Sequence, residues 1–152
     1  MKKLFILSFI IFLTSALFAQ QTPTDAIKQT IHTMLDAMRK SDSTLLKSVV
    51  ANDMELQSIA TDKMGKVSLS TKSVHDLVTQ IGTPHEAVYD ERIVFGSIKI
   101  DGPLASVWTS YKFYLGEVFS HCGVNFFQLA RTGGSWKIIH VAYTVRPDNC
   151  KN

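Results

Sequence analysis

Residues 104–145 read LASVWTSYKFYLGEVFSHCGVNFFQLARTGGSWKIIHVAYTV. The stretch is rich in β-branched and aromatic residues and is broken only by Gly116-Glu117 and Gly133-Gly134, both tight-turn signals. It predicts three strands: Leu104 to Leu115, Phe119 to Arg131 and Trp136 to Val145. A fourth, Arg92 to Ile100, precedes them across Asp101-Gly102. Together they form a four-stranded antiparallel meander.

Upstream of Tyr89 the period changes. Ile27, Ile31, Met34, Leu35 and Met38 fall on one helical stripe, with Thr22 suited to the N-cap, Pro23 to the first helical position and Asp25 to a capping box. A second, short helix is expected from Ser43 to about Val50, capped by Asp42. A third, capped by Ser70 or Thr71, carries Val74, Leu77, Val78 and Ile81 until Gly82 and Pro84 stop it. Met54 to Ala60 alternates as a short strand, and Val67 and Leu69 suggest another. The expected class is α+β, a cone-shaped fold with three N-terminal helices packed on a curved, mainly antiparallel β-sheet.

The chain has 152 residues, 45% hydrophobic and 19% charged, which excludes disordered, collagenous and coiled-coil classes. Lys2 and Lys3, the apolar run Leu4 to Leu13 and the small, polar Thr14 to Ala19 read as a signal peptide over residues 1–20. A run of 16 apolar-to-small residues is short of the roughly 20 that a spanning helix needs. Cleavage is expected after Ala19 or after Gln20, and one domain over residues 21–152 would be exported to the periplasm or secreted. The mature chain then has 14 basic residues against 13 acidic ones, and no basic cluster. Neither nucleic acid nor a membrane surface is expected as a partner.

Export bears on Cys122 and Cys150, because an oxidising compartment lets a bridge persist. A disulfide is the first reading. Two inert thiols, or a zinc site recruiting His121 and His140, are the alternatives. No C-x-x-C or H-x-x-x-H spacing supports the metal, so none is expected, and nothing implies a cofactor.

The segment Phe119-Ser-His-Cys-Gly-Val-Asn-Phe-Phe-Gln-Leu, followed by Gly134-Ser-Trp-Lys-Ile, resembles small exported members of the nuclear transport factor 2-like superfamily. That superfamily includes ketosteroid isomerases, SnoaL-like cyclases and lumazine-binding-like proteins. The resemblance covers about Thr24 to Arg146, and it implies the cone, a pocket at its open end, and Trp136 and Ile138 pointing toward the helices. Members often pair through the outer sheet face, which implies a homodimer. Many relatives carry an acid where this chain has Asn125, and that departure weakens any transfer of their acid–base chemistry.

If both glycine turns hold exactly two residues, paired positions sum to 233 across the first hairpin and 267 across the second, and paired side chains share a face. One face then carries Trp108, Ser110, Lys112 and Tyr114, then His121, Asn125 and Phe127, then Trp136, His140, Thr144 and Arg146. The other, apolar face carries Tyr111, Phe113, Phe126, Val141 and Tyr143 and would meet the second copy. A bulge in either hairpin would swap part of these sets.

The candidate ligand-binding residues are therefore Trp108, Ser110, Tyr114, His121, Asn125, His140, Thr144 and Arg146. The leading reading is an exported, non-catalytic or weakly catalytic domain holding a flat or compact organic molecule. A second is an isomerase, cyclase or hydrolase with His121 or His140 as general acid or base. A third is a dimeric interaction module with a filled core. A void beside Asn125 separates the first from the third.

Overall fold

A computed structural model describes residues 21–62 and 64–150 of the chain. The proposed signal peptide lies outside them. The elements are α1 (Pro23–Lys40), α2 (Ser43–Lys47), β1 (Val50–Thr61), β2 (Val67–Ser73), α3 (Val74–Gly82), β3 (Tyr89–Asp101), β4 (Leu104–Leu115), β5 (Val118–Thr132) and β6 (Ser135–Val145).

Local chemistry explains the helix boundaries. Thr22 caps α1, its hydroxyl accepting from the Asp25 backbone N–H at 3.1 Å, and Pro23 occupies the first turn. Asp42 caps α2 in the same way through Leu45 N–H. The cap of α3 is Ser73, whereas Ser70 and Thr71 lie within β2. Among the described residues only α1 and α2 precede the first strand, and α2 is a single turn and a half, so the picture of three N-terminal helices needs amending.

The sheet is also larger than a meander. Six strands run in the order β2-β1-β6-β5-β4-β3, all antiparallel except β1 against β6. The two short upstream strands thus join the main sheet, with β1 extending it beyond β6. Ile27, Ile31, Leu46, Leu77 and Ile81 from the helices pack on Val107, Phe127, Leu129, Trp136, Ile138 and Val141 from one sheet face. Trp136 and Ile138 do point toward the helices.

Two extra residues set the faces. Across β4 and β5 the pairs Leu115↔Val118 and Tyr114↔Phe119 are followed by Phe113↔His121, so Ser120 is a bulge. Across β5 and β6 the pairing passes from Leu129↔Ile138 to Gln128↔His140, which leaves Ile139 extra. Each bulge reverses the side-chain alternation beyond it. Val107, Thr109, Tyr111 and Phe113 consequently face the helices, and Trp108, Ser110 and Tyr114 face away.

Cys122 and Cys150 form a disulfide that ties the segment after β6 back onto β5, where Cys122 and Arg146 already exchange backbone hydrogen bonds of 2.9 and 2.8 Å. Closing a loop of 28 residues stabilises the fold by about 3 to 4 kcal/mol in the chain-entropy picture. Among the described residues no group of three potential ligands could hold a metal. No described helix is long and apolar enough to cross a membrane.

Beside Cys122, Gly123 has no room for a side chain. A Cβ there would lie 1.8 Å from the Thr144 carbonyl oxygen and 2.7 Å from Tyr111 Cε1, neither of which can retreat cheaply. Gly123→Ala is therefore expected to lower unfolding stability by about 3 kcal/mol or more. Chemical denaturation checks this; a loss below about 1 kcal/mol would mean that the β5–β6 approach is looser than described.

Candidate functional site

The register brings three cross-strand rows under the helices. Glu91 pairs with Phe113 and Phe113 with His121; Ile93 pairs with Tyr111 and Tyr111 with Gly123; Thr109, Asn125 and Tyr143 form the third row. Above these rows lie Met34, Leu35 and Met38 of α1 and Leu77 and Ile81 of α3. The space left between them is a cavity of about 260 Å³. Its walls are mainly apolar and aromatic, and its polar groups are few.

Gly123 helps to create this space. Because it carries no side chain, the Tyr111 ring lies across it and donates its hydroxyl to the Thr144 carbonyl at 2.8 Å. The ring is thereby fixed as part of the cavity wall. Burial pushes the Tyr111 hydroxyl far above its ordinary range, with the Glu91 and Tyr143 charges adding to the effect. Tyr143, hydrogen-bonded to Ser58, is raised by burial as well.

Glu91 is the acid of the site. Its neighbours in sequence, Asp90 and Arg92, point the other way, as alternation along a strand requires. Asp90 accepts from Arg39 Nε at 3.0 Å and Nη2 at 2.8 Å, and from Arg92 Nε at 2.7 Å. Burial would raise Asp90, but the hydrogen bonds from Arg92 and Arg39 outweigh it and hold the carboxyl below the usual range. This cluster joins the last turn of α1 to the start of β3, which fixes the backbone from which Glu91 projects inward.

Asn125 Nδ2 donates to Glu91 Oε1 at 2.8 Å and lies 3.4 Å from Thr109 Oγ1. Among the described residues, no ion pair and no second hydrogen bond reaches the Glu91 carboxyl. Glu91 keeps some accessible surface, and it lines the cavity. Burial raises its pKa from 4.5 to about 7, against the smaller lowering effect of the Asn125 hydrogen bond. Near neutral pH the group is poised between acid and carboxylate.

His121 shares the cavity. Its ring sits 5.0 Å from Phe113 and 5.7 Å from Tyr111, centroid to centroid, and Ser120 Oγ lies 3.0 Å from Nδ1. Burial lowers its pKa, which favours the neutral imidazole. At the mouth, Lys72 donates to Gln80 Oε1.

Of the eight residues proposed from sequence, the structure places His121 and Asn125 on the cavity and the other six elsewhere. Trp108, Ser110 and Tyr114 are turned outward by the Ser120 bulge. Trp108 is half exposed beside Phe126, and Arg92 lies over the Tyr114 ring at 4.2 Å. His140 and Thr144 are turned by the Ile139 bulge: the His140 ring meets Gln57 Oε1 at 3.1 Å, and Thr144 Oγ1 accepts from Val124 N–H at 3.1 Å. Arg146 pairs with Cys122 through its backbone, and its Nε is buried with no hydrogen-bond partner among the described residues. Glu91, Tyr111, Phe113 and Tyr143 take the vacated roles. A charged residue at an inward position of the alternation Tyr89, Glu91, Ile93, Phe95 was the available signal for Glu91.

Comparison with known proteins agrees with this architecture. A family model described as "Putative lumazine-binding" matches residues 22–144. Among solved structures, the chain resembles an NTF2-like protein of unknown function from Shewanella baltica OS155, with 19% identity and a TM-score of 0.61 over 82% of this chain and 94% of that one. It also resembles a conserved protein from Planctomyces limnophilus DSM 3776, with 20% identity and a TM-score of 0.63 over 81% and 95% of the two chains. An NTF2-like protein from Cytophaga hutchinsonii ATCC 33406 shares 16% identity and a TM-score of 0.60 over 82% and 99%. No curated protein matches the chain.

The buried acid leaves a mark on stability. Folded Glu91 holds its proton up to about pH 7, whereas the unfolded chain releases it near 4.5. Its contribution is therefore fully present below pH 4.5 and lost as pH rises through 7. Glu91→Gln removes that dependence and keeps an oxygen for Asn125. Urea unfolding should find the variant close to wild type at pH 4 and about 2 to 3 kcal/mol more stable at pH 8. Parallel pH profiles for the two proteins would show that the carboxyl is hydrated.

Proposed function

From the premise that the chain belongs to the family described as "Putative lumazine-binding" and has the nuclear transport factor 2-like fold, we propose that it is an exported domain that binds a compact organic molecule. The observation that carries this is the 260 Å³ cavity beside Asn125, walled by apolar and aromatic side chains and holding one polar anchor, the Glu91–Asn125 pair. Ligand sites have this composition: an apolar surround that drives association and a few polar groups that orient the guest. A filled core would have favoured the interaction module. Here Trp108 lies outside, and Trp136 and Phe127 pack without closing the space.

The cone reading is supported by α1 and α3 packing over a sheet with bulges at Ser120 and Ile139, since a bulge bends the strand that carries it. Export is supported by the leader's composition and by the Cys122–Cys150 bridge, since such bridges persist in oxidising compartments. A second reading, acid–base catalysis, is favoured by one observation: a cavity carboxyl titrating near 7 is matched to proton transfer at neutral pH. That role belongs to Glu91, with His121 two strands away on the same cavity wall, and His140 does not line the space.

The homodimer is proposed through a revised surface. With Tyr111, Phe113, Val141 and Tyr143 turned inward, the outer sheet face presents Val94, 63% exposed, and Trp108, 50% exposed, next to Phe126. Sedimentation should give twice the monomer mass for the wild type, and Trp108→Glu should return it to monomer. A monomeric wild type at micromolar concentration sinks the dimer without touching the pocket.

Native mass spectrometry of chain 21–152 tests the binding reading. A co-purified molecule, or one captured from a fragment library, is expected in the wild type and is lost when Val141→Phe or Leu56→Phe fills the cavity. Both positions line the space, and each substitution adds only apolar volume. A wild type that captures nothing, or variants that capture equally, overturns the reading.

A further inference from the structure

The electrostatics of the cavity select among ligands. An anion is disfavoured by the Glu91 carboxylate, and an apolar guest leaves one carboxyl oxygen without a hydrogen bond. The aromatic side chains about Glu91 are Tyr89, Phe113, Tyr111 and Tyr143, with the His121 ring against two of them. Tyr89 and Phe113 lie 5.7 Å apart, centroid to centroid. A carboxylate among aromatic faces is the arrangement that stabilises a weakly hydrated cation, by charge pairing and by the negative face of each ring. Resting on the binding reading above, we propose that the ligand class of this cavity is a compact organic ammonium, its cationic head seated between Glu91 and the aromatic wall.

Every other charged or titratable group on the cavity is compatible with this. From β2, Lys72 is half-buried at the mouth and engaged by Gln80, where solvent screens it. From β3, Tyr89 stacks on His85 at 4.0 Å. From β4 and β6, Tyr111 and Tyr143 are held protonated by burial. From β5, His121 is driven toward its neutral form, so it places no positive charge against the guest. The cavity-lining residues of α1 are Met34, Leu35 and Met38, and those of α3 are Leu77, Gln80 and Ile81, none of them ionisable. Arg146 acts on Tyr111 from a distance but does not line the space.

A cation binds the carboxylate form, so affinity rises as Glu91 loses its proton. With a pKa of about 7, the competent fraction grows about tenfold between pH 6 and pH 8. Choline chloride and its neutral carbon isostere, 3,3-dimethylbutan-1-ol, are the probes for isothermal titration of chain 21–152. Choline is expected to bind about tenfold more tightly at pH 8 than at pH 6, with proton release visible as a dependence on buffer ionisation heat. The isostere should bind more weakly at pH 8 and show no tightening with pH. Glu91→Gln, which removes the charge and keeps the hydrogen bond, should lose choline binding and the pH slope.

Binding of the isostere with no binding of choline overturns the ammonium class and leaves the pocket reading intact. A choline affinity or slope that survives in Glu91→Gln also overturns it, the latter outcome assigning the titration to His121. If neither probe binds and the native mass spectra are empty, the pocket reading falls as well.

Discussion

One residue without a partner, Ser120, determines which side of β4 meets the helices. Strands alternate their side chains with period two, so an extra residue in one member of a pair inverts the assignment for everything beyond it. The inversion at Ser120 buries Val107, Thr109 and Tyr111 and exposes Trp108. The second inversion, at Ile139, keeps Trp136 and Ile138 in the core near the turn yet brings Val141 and Tyr143 inward farther along. Without both shifts, Asn125 would face Trp108 and Ala142 in place of Thr109 and Tyr143. The cavity's aromatic wall depends on this offset, because its members come from β3, β4, β5 and β6 and must arrive on the same side.

That offset would have no chemical consequence if the enclosed polar groups were fully paired. They are not. Thr109 and Asn125 are buried, and Asn125 spends its amide on Glu91, whose second oxygen is left to the cavity. Burying the carboxylate in such surroundings costs stability, and up to about pH 7 the group avoids that charge by keeping its proton. Asp90 and Arg92, on the opposite side of the same strand, pair with each other and with Arg39 of α1; both arginines are about half exposed, where ion pairs contribute little to stability. The effect of this cluster is geometric: it anchors β3 to α1 on either side of Glu91, so the carboxyl does not swing toward water.

Much of the fold was legible from residue pattern. The α1 stripe, the caps at Thr22 and Asp42, the glycine turns and the four long strands all follow from local periodicity and turn chemistry, and the structure has them. Joining β1 and β2 to the main sheet was not legible, since the parallel pairing of β1 with β6 links residues some 85 apart through contacts that no local pattern announces. The site was legible only along β5, where His121 and Asn125 share the inward parity of Phe127 and Leu129 regardless of the turn count. On β4 and β6 the inference passed through hairpin arithmetic. Nothing in Phe119-Ser120-His121 or Ile138-Ile139-His140 marks a bulge, because neither contains the glycine that announces one type of bulge.

Gly123 connects these strands of argument. It faces Tyr111 across the β4–β5 pair, and the absence of its side chain lets the tyrosine ring reach the Thr144 carbonyl on β6. That hydrogen bond spans three strands beside the point where Cys122 is bonded to Cys150. The wall of the cavity is therefore braced by a side chain, a backbone approach and a covalent bond that meet within two residues of His121. A site that must hold a charge in an apolar surround gains from such rigidity, because a wall that relaxed would admit water and restore the ordinary acidity of Glu91. The bracing of β5 and the unusual chemistry of β3 are in this sense one property, expressed on opposite sides of the same cavity.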